Sequence, residues 1–459
     1  RPSSDLAGYV DVVQPGHFPL AVDALFGTGL ARPIPQEMGK ALAATFMGEF
    51  ADRCVSVDLP SGLCSDSGRI LLGDPRDAWD PVVTGWVACP DLLVTFHRMK
   101  LGMVLADGPK LTEKIVLRDI GLRSRSARDI VSMVQAAPMR LSKGRRAHKY
   151  SHGHALILSG PSGRGGAARL SARGALRIGA GVVTVGCPPE AIPENAAHLD
   201  AVMLRGVANG AALAGVLEDH RINALCLGPG LGVDARGREL VAVALGVPAG
   251  DPPPPSPPHE GEGGREGQPS RAEEAGEALP LPPVGRGEGW GARCVVLDAD
   301  ALTLLSQHPD LFAALHEGCV LTPHAGEFAR LFPDIAEKLA APATKGPAWS
   351  KVDATREAAK RAGCVVLYKG PDTVIADPSG RSAINSAHYD RAAPWLATAG
   401  SGDVLAGFIT GLLARGFSPF DAACTGAWLH VECALSFGPG LIAEDLPDEL
   451  PKVFRALGI

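Results

Sequence analysis

The sequence is short of aromatic residues, of positive charge and of long apolar runs. Aromatic residues make up 5% of the 459 residues, and 44 Lys and Arg are outnumbered by 50 Asp and Glu, which gives a formal net charge of −6. A nucleic-acid-binding protein usually carries a basic footprint, so we expect no nucleic-acid partner. No uncharged apolar run approaches the roughly 18–20 residues that span a bilayer, so we expect no membrane partner either.

The cysteines form no recognisable framework. The chain has ten of them, scattered from Cys54 to Cys433 without a Cys-x-x-Cys pair, which argues against a disulfide scaffold and for reduced thiols. The chain starts at Arg1 without a charged-then-apolar leader, so we recognise no secretory signal in it. We therefore expect a cytoplasmic protein.

Glycine (56 residues) and proline (39) are plentiful, and many of them lie between the segments of a repeated pattern. Short β-branched runs such as CVSVDLPSG, HALILSG and CVVLDADA end in Gly, Asp or Ser and precede Ala-rich, helix-favouring sequence. This alternation predicts an α/β fold with parallel sheets and crossover helices. Ligands bind at the carboxyl ends of such strands, where the unusual polar residues of this chain lie.

Two segments break the pattern and divide the chain. Residues 249–291 are rich in Pro, Gly and Glu and lack apolar periodicity, which predicts a disordered insertion. Residues 122–147 are polar and basic, and we interpret them as a solvated linker rather than a nucleic-acid site. The expected domains are therefore residues 1–121 and residues 148–459, the second one carrying the insertion.

The strongest chemical signal is the turn Gly400-Ser401-Gly402-Asp403. Its glycines let the backbone approach a ligand, and the apolar pattern after Asp403 indicates that the turn opens a helix. The free N–H groups of such a turn form a hole for phosphate or for developing negative charge. Asp403 is placed to take a proton from an attacking hydroxyl, and a plain helix cap is the alternative role for it.

The motifs around this turn resemble those of a known family. Along the chain come GPSGRGGAARL (160–170), LGPGLG (227–232), VLDADALTLL (296–305), LTPHAGEFARLF (321–332) and YKGPDTVIA (368–376). Their order is similar to that of the ADP-dependent NAD(P)H-hydrate dehydratases. The resemblance implies a ribokinase-like three-layer α/β/α sandwich. It also implies ADP-dependent dehydration of (S)-NADHX and (S)-NADPHX, the hydrated nicotinamide cofactors, to NADH and NADPH, with release of AMP and phosphate.

The resemblance also implies roles for individual residues. The nucleotide would contact Gly402 and the loop formed by Lys369, Gly370, Pro371, Asp372 and Thr373. The hydrate would contact Gly230, His324, Asp403 and, in the 160–170 loop, Ala168 or its neighbour Ala167. Glu327 would work through magnesium-bound water. Asp298 and Asp300, at the end of a neighbouring strand, fit either active-site electrostatics or plain capping.

The N-terminal sequence resembles the later half of the NAD(P)H-hydrate epimerase domain, through VDALFGTGLARPI (22–34) and VSVDLPSGLCSDSG (55–68). The resemblance implies potassium at Asp23 and Ser61, acid/base chemistry at Asp58, and hydrate contacts at Asp58 and at Gly27, Thr28, Gly29, Leu30, Ala31, Arg32 and Pro33. The family's early Asn-Asn-Gly-Gly-Asp-Gly phosphate loop is absent. We therefore expect a truncated, partial Rossmann-like α/β/α domain with little or no epimerase activity.

Two other functions stay open at this point. A ribokinase-like kinase for a vitamin precursor or a sugar would share the glycine turn and Asp403, and would release a stable phosphorylated product. The N-terminal half would then serve as a non-catalytic binding or oligomerisation module. For the main hypothesis we expect NADHX or NADPHX and ADP as partners, Mg²⁺ and K⁺ as cations, and a homo-oligomer.

Overall fold

The computed structural model describes residues 17–46, 51–73, 87–122, 130–135, 138–144, 148–247 and 293–459. These residues form two α/β units, one around a four-stranded sheet and one around a ten-stranded sheet. The predicted disordered insertion, residues 249–291, lies outside the described residues. Among those residues, no helix combines the length and the apolar character that a bilayer crossing requires.

The N-terminal unit is built on a parallel sheet with the strand order β1-β2-β3-β4. Its core is made of fully buried side chains that include Leu59, Leu93 and Met103. Burial on the sheet explains why these positions are apolar. The elements are β1 (Ala21–Asp23), α1 (Gln36–Phe46), β2 (Cys54–Val57), β3 (Leu92–Phe96), α2 (Gly108–Leu111) and β4 (Ile115–Arg118).

The C-terminal unit has the strand order β5-β14-β13-β12-β11-β10-β9-β6-β7-β8. The strands from β12 to β8 in this order are parallel, and β13 is antiparallel to both of its neighbours. The strands are β5 (Val131–Met133), β6 (His154–Leu158), β7 (Val182–Cys187), β8 (Met203–Gly206), β9 (Ile222–Leu227), β10 (Cys294–Leu297), β11 (Cys319–Leu321), β12 (Val365–Tyr368), β13 (Asp372–Ala376) and β14 (Ser382–Ser386).

Helices cover both faces of this sheet, so the unit has the three layers that the sequence predicts. The helices are α3 (Pro138–Leu141), α4 (Gly166–Arg177), α5 (Ile192–Ala196), α6 (Gly210–Val216), α7 (Ala235–Ala244), α8 (Ala299–Gln307), α9 (Pro309–Ala313), α10 (Ala325–Leu331), α11 (Pro333–Ala340), α12 (Lys351–Ala362), α13 (Ser401–Ala414), α14 (Pro419–Phe437) and α15 (Asp445–Ala456). One apolar core contains α4, α13, α14 and α15, and the other contains α6, α7, α8, α10 and α12.

The predicted linker, residues 122–147, contains a strand of the ten-stranded sheet as well as connecting segments. Its residues 131–133 form β5, which pairs in parallel with β14 at the register Ser382 to Val131. The sequence did not show this strand because it is short and mostly exposed. On the other side of the sheet, β9 and β10 pair directly, so the two segments that flank the predicted insertion belong to one sheet.

Candidate active site

The start of α13 is shaped by a glycine in the left-handed region. Gly400 has φ 87°, a conformation that favours glycine, and a Cβ there would lie 2.8 Å from Leu170 Cδ1 and 3.0 Å from Ala443 Cβ. Residues 404–414 are all buried, so the helix runs from the site into the core. Within the described chain no side chain caps this helix, Asp403 included. Ser401 N donates to Thr398 O at 3.4 Å, while the N–H groups of Gly402 and Asp403 have no acceptor among the described residues and stay open to an anion.

Three hydrogen bonds from outside the helix hold this turn. Ser171 Oγ donates to Asp403 O at 2.7 Å, and Ser401 Oγ donates to Leu396 O at 2.8 Å. His430 Nε2 lies 2.9 Å from Ser401 O. Burial lowers the pKa of His430 to about 4, so its neutral ring donates the Nε2 proton to that carbonyl. No local motif in the sequence points to His430.

Lys369 places its ammonium group among the acidic side chains at the strand ends. Lys369 Nζ lies 2.8 Å from Asp298 Oδ1 and 3.7 Å from Glu327 Oε2. A Cβ on Gly402 would be 3.6 Å from the same Nζ. Burial by itself would lower the pKa of Lys369, but Asp298 and Glu327 outweigh it and the pKa is raised. The lysine is therefore charged at the centre of the site.

Asp403 is the residue of this group whose environment suits a base. Burial, and after it the negative charge of Asp298, raises its pKa from 3.8 to about 6, while Lys369 acts in the opposite direction. A general base works best with a pKa near the operating pH. Asp298, whose role was open, is 2% exposed and is the direct ion-pair partner of Lys369, so it belongs to the electrostatics of the site.

His324 and Glu327 form a capping box at the start of α10. His324 Nδ1 accepts from Gly326 N at 3.0 Å and from Glu327 N at 3.3 Å, and Glu327 Oε2 accepts from His324 N at 2.8 Å. The His324 ring therefore has an unprotonated Nδ1 and is 56% exposed. It caps the helix through Nδ1, and its Nε2 lies 3.4 Å from Glu327 Oε1, while the exposed part of the ring remains open to a ligand.

The two glycine loops predicted to hold the hydrate lie against each other. Gly230 has φ 65°, and a Cβ there would be 2.6 Å from Arg164 O and 3.6 Å from Ala167 Cβ. Ala168, the contact expected from the sequence, is 0% exposed and packs into the core beneath α4. Its neighbour Ala167, the other candidate from the sequence, is half-buried and lies on the side of Gly230.

Glu194, to which no sequence motif points, holds the 160–168 loop in place. Its Oε2 accepts from Gly163 N at 2.6 Å and from Ser162 Oγ at 2.7 Å, and Arg169 Nη1 donates to its Oε1 at 2.9 Å. These hydrogen bonds, that of Gly163 first, lower the pKa of Glu194 to about 2. The carboxylate thus stays ionised and holds the loop at any working pH.

The predicted nucleotide loop, residues 369–373, connects β12 to β13 at the same edge of the sheet. Thr373 Oγ1 accepts from Gly370 N at 3.2 Å and donates to Gly370 O at 2.6 Å. Asp372 Oδ1 pairs with Lys351 Nζ at 2.7 Å. The loop is therefore a closed turn, and its first residue, Lys369, is the lysine that reaches the active-site carboxylates.

Asp58 is the centre of a second polar cluster, in the N-terminal unit. It has φ 71°, and its Oδ1 lies 2.5 Å from Lys100 Nζ. Its Oδ2 accepts from Thr28 N at 3.2 Å, and a Cβ on Gly27 would be 2.8 Å from this oxygen. Thr95 Oγ1 lies 3.4 Å from Oδ1. The structure thus brings the start of the predicted 27–33 loop to Asp58, and it adds Lys100, which the sequence analysis did not single out.

Asp23 and Ser61 lie together, as the sequence predicts. Asp23 accepts from Ser61 N at 2.8 Å, from Ser61 Oγ at 2.5 Å and from Ser56 Oγ at 3.0 Å. The carboxylate is 2% exposed, and no Lys, Arg or His of the described residues forms an ion pair with it. A buried carboxylate without a cationic partner, beside hydroxyl oxygens, has the donor chemistry of a site for a hard cation.

Comparison with known proteins assigns both units. Residues 155–249 and 289–453 match the family described as NAD(P)H-hydrate dehydratase, and residues 3–102 match that of the YjeF-related protein N-terminus. The bifunctional NAD(P)H-hydrate repair enzyme of Moorella thermoacetica is 32% identical over 458 residues, which cover 95% of this chain and 73% of that protein. The chain belongs to the family of bifunctional NAD(P)H-hydrate repair enzymes.

Other relatives agree with this assignment. The Mycobacterium tuberculosis member of this repair-enzyme family is 33% identical over 404 residues, which cover 88% of this chain and 66% of that protein. Among solved structures, a ribokinase-like superfamily protein from Enterococcus faecalis has a TM-score of 0.53 at 20% identity and covers 73% of this chain and 99% of its own. This likeness confirms the ribokinase-like fold of the C-terminal unit.

Proposed function

We propose that the C-terminal unit dehydrates (S)-NADHX and (S)-NADPHX with ADP, and releases AMP and phosphate. The observation that carries this proposal is the position of Asp403, at the open start of α13, near enough to the Lys369–Asp298 ion pair for both charges to shift its pKa. The family of the chain supports the substrate. In this proposal Gly402 and residues 369–373 hold the nucleotide, and Gly230, His324 and the 160–168 loop hold the hydrate.

The chain's own residues account for the steps of such a reaction. Asp403 accepts the proton of the hydrate hydroxyl as the hydroxyl oxygen attacks the terminal phosphorus of ADP and AMP leaves. The N–H groups at the start of α13 and the Lys369 ammonium stabilise the charge that develops on the transferred phosphoryl group. The phosphate then leaves with the C–O bond electrons, and loss of a proton from the adjacent carbon restores the ring double bond.

Magnesium fits this site only through an indirect contact. Within the described residues no group of three or more His, Cys, Asp and Glu forms a metal site. Glu327 already accepts from the His324 N–H and faces Lys369, so we propose that it meets the cation through water. When bound with the nucleotide, Mg²⁺ would neutralise phosphate charge.

For the N-terminal unit we propose Asp58 as the acid/base residue, with Lys100 Nζ paired to its carboxylate at a distance of 2.5 Å. Residues 27–33 would contact the hydrate, and Asp23 and Ser61 would supply two oxygens to K⁺. The low epimerase activity, the cytoplasmic location and the homo-oligomer expected from the sequence stay predictions.

An assay with mixed NADHX epimers tests both units together. The purified chain is incubated with the epimers, Mg²⁺ and either ADP or ATP, and the return of dihydronicotinamide absorbance is followed. Recovery of the (S) share with ADP supports the dehydratase, and continued recovery of the (R) share faster than spontaneous epimerisation supports Asp58. No recovery with either nucleotide contradicts the proposal, and a stable phosphorylated product would favour a kinase.

A further inference from the structure

The two units share one apolar cluster, which lies behind the proposed nucleotide loop. Leu105 (0% exposed) and Val104 (3%) come from the N-terminal unit, and Val352, Val374 and Ile384 (each 0–1%) come from the C-terminal unit. Val374 follows the loop directly on β13, and Val352 lies in the first turn of α12. The segment 101–108 of the N-terminal unit thus packs against the elements that carry the loop.

Two hydrogen bonds flank this cluster and also cross between the units. Ala106 N donates to Asp372 Oδ2 at 3.2 Å, so the N-terminal unit binds a side chain of the nucleotide loop itself. Tyr389 Oη donates to Met103 O at 2.5 Å. Burial raises the pKa of Tyr389, so its hydroxyl stays protonated at neutral pH and can always donate this hydrogen bond.

The contact at Asp372 continues to the active-site lysine. Asp372 Oδ1 binds Lys351 Nζ at 2.7 Å, and the same Nζ donates to Lys369 O at 3.2 Å. Gly370 lies so close that a Cβ there would be 2.7 Å from Lys351 Nζ. Direct contacts therefore connect Ala106 to the backbone of Lys369, whose ammonium group pairs with Asp298.

A second set of contacts fixes the orientation of the units. Gly346 N donates to Ala31 O at 3.0 Å, and Leu72 N donates to Ala343 O at 2.8 Å. Arg69 Nη1 donates to Leu339 O at 3.0 Å. Because the contacts occur at two separate places, the N-terminal unit is docked on the C-terminal unit and does not merely precede it in the chain.

We propose that the N-terminal unit is a structural part of the nucleotide site of the C-terminal unit. Segment 101–108 fixes Asp372 and the start of β13, and thereby the conformation of residues 369–373, with Asp372 and Tyr389 acting as positioning residues. This inference rests on the nucleotide loop proposed above. It gives the N-terminal unit a function that does not depend on any chemistry at Asp58.

The test compares two buried leucines of the N-terminal unit in the full-length chain. Leu105→Ala opens the shared cluster, while the matched control Leu42→Ala opens a separate cluster of the N-terminal unit, formed with Ile34 and Ala88, where Leu42 is 7% exposed. Calorimetric titration with ADP and Mg²⁺ gives the dissociation constant. We expect Leu105→Ala to raise it about fivefold or more, because a displaced segment 101–108 weakens the hydrogen bond from Ala106 N to Asp372. Leu42→Ala should leave it unchanged.

Tyr389→Phe provides a milder variant, because it removes only the hydroxyl that reaches Met103. It should raise the ADP dissociation constant about threefold to fivefold while kcat at saturating ADP changes less than twofold. If Leu105→Ala does not fold, this variant decides the question. ADP binding that is equal in Leu105→Ala, Tyr389→Phe, Leu42→Ala and the unmodified chain overturns the inference alone. An unmodified chain that binds no ADP overturns the proposed function, and this inference with it.

Discussion

At the level of single residues, the chemistry depends on the opposite charges of Asp403 and Lys369, each of which shifts the pKa of the other. Asp403 is in the first turn of α13, and its pKa is raised to about 6 chiefly by burial. Lys369 opposes that shift and remains charged because Asp298 and Glu327 outweigh the effect of its burial. The site therefore keeps a base that is ionised at neutral pH beside a cation that can face phosphate oxygens.

The raised pKa of Asp403 predicts how the reaction responds to pH. Below pH 6 the carboxylate becomes protonated and can no longer accept the hydroxyl proton, so kcat/KM should fall as the pH decreases through about 6. Asp403→Asn removes the base, and we expect turnover at pH 7.5 to drop by about 10²–10⁴-fold while ADP still binds. Unchanged turnover in this variant would refute the role of Asp403.

Replacement of Lys369 should weaken the folded state as well as the reaction. Lys369→Met leaves Asp298 buried without its cationic partner, a change that costs about 3–5 kcal/mol when one member of a buried pair is removed. Urea unfolding at pH 7 measures the loss. Lys360→Met, at an exposed lysine in the last turn of α12, is the control, and equal stability of the two variants would contradict the ion pair.

At the level of elements, the start of α13 is held by residues that lie far away in the sequence. His430 on α14 donates to Ser401 O and fixes the turn that carries Gly402 and Asp403. His430→Phe removes this donor, and we expect kcat/KM to fall about fivefold, the value of roughly one hydrogen bond. His430→Gln can still donate and should recover part of the loss. Equal kcat/KM in the wild type and the Phe variant would show that the bond does not position the turn.

The elements also show how far the sequence alone could lead. The helix α13, which begins in the glycine turn before Asp403, was predictable, because glycines followed by an apolar helical pattern are a local signal. Glu194 and His430 were not, since they act on residues 31 and 29 positions away. The choice of Ala168 over Ala167 depended on the phase of α4, where one residue turns the side chain by about 100°. Strand β5 has only three residues and is mostly exposed, so its sequence gives no strand signal.

At the level of the whole molecule, the order of the strands indicates which part of the chain is dispensable. Residues 249–291 fall between α7 and β10, and β10 pairs directly with β9. Deleting them leaves a connection of the length that is usual between a helix and a strand. We expect the shortened chain to keep its kcat within about twofold, because the free energy of loop closure depends only weakly on the length of a connection. A shortened chain that fails to fold, as judged by circular dichroism, would contradict the predicted disordered insertion.

The most direct test of the dehydratase assignment is the product balance of one turnover. The chain is mixed with (S)-NADHX, ADP and Mg²⁺, and NADH, AMP and phosphate are counted by absorbance and by phosphorus NMR. We predict one AMP and one phosphate for each NADH restored, and no phosphorylated intermediate that persists after the reaction. Accumulation of a stable phosphate ester without NADH would contradict the account and identify the site as that of a kinase.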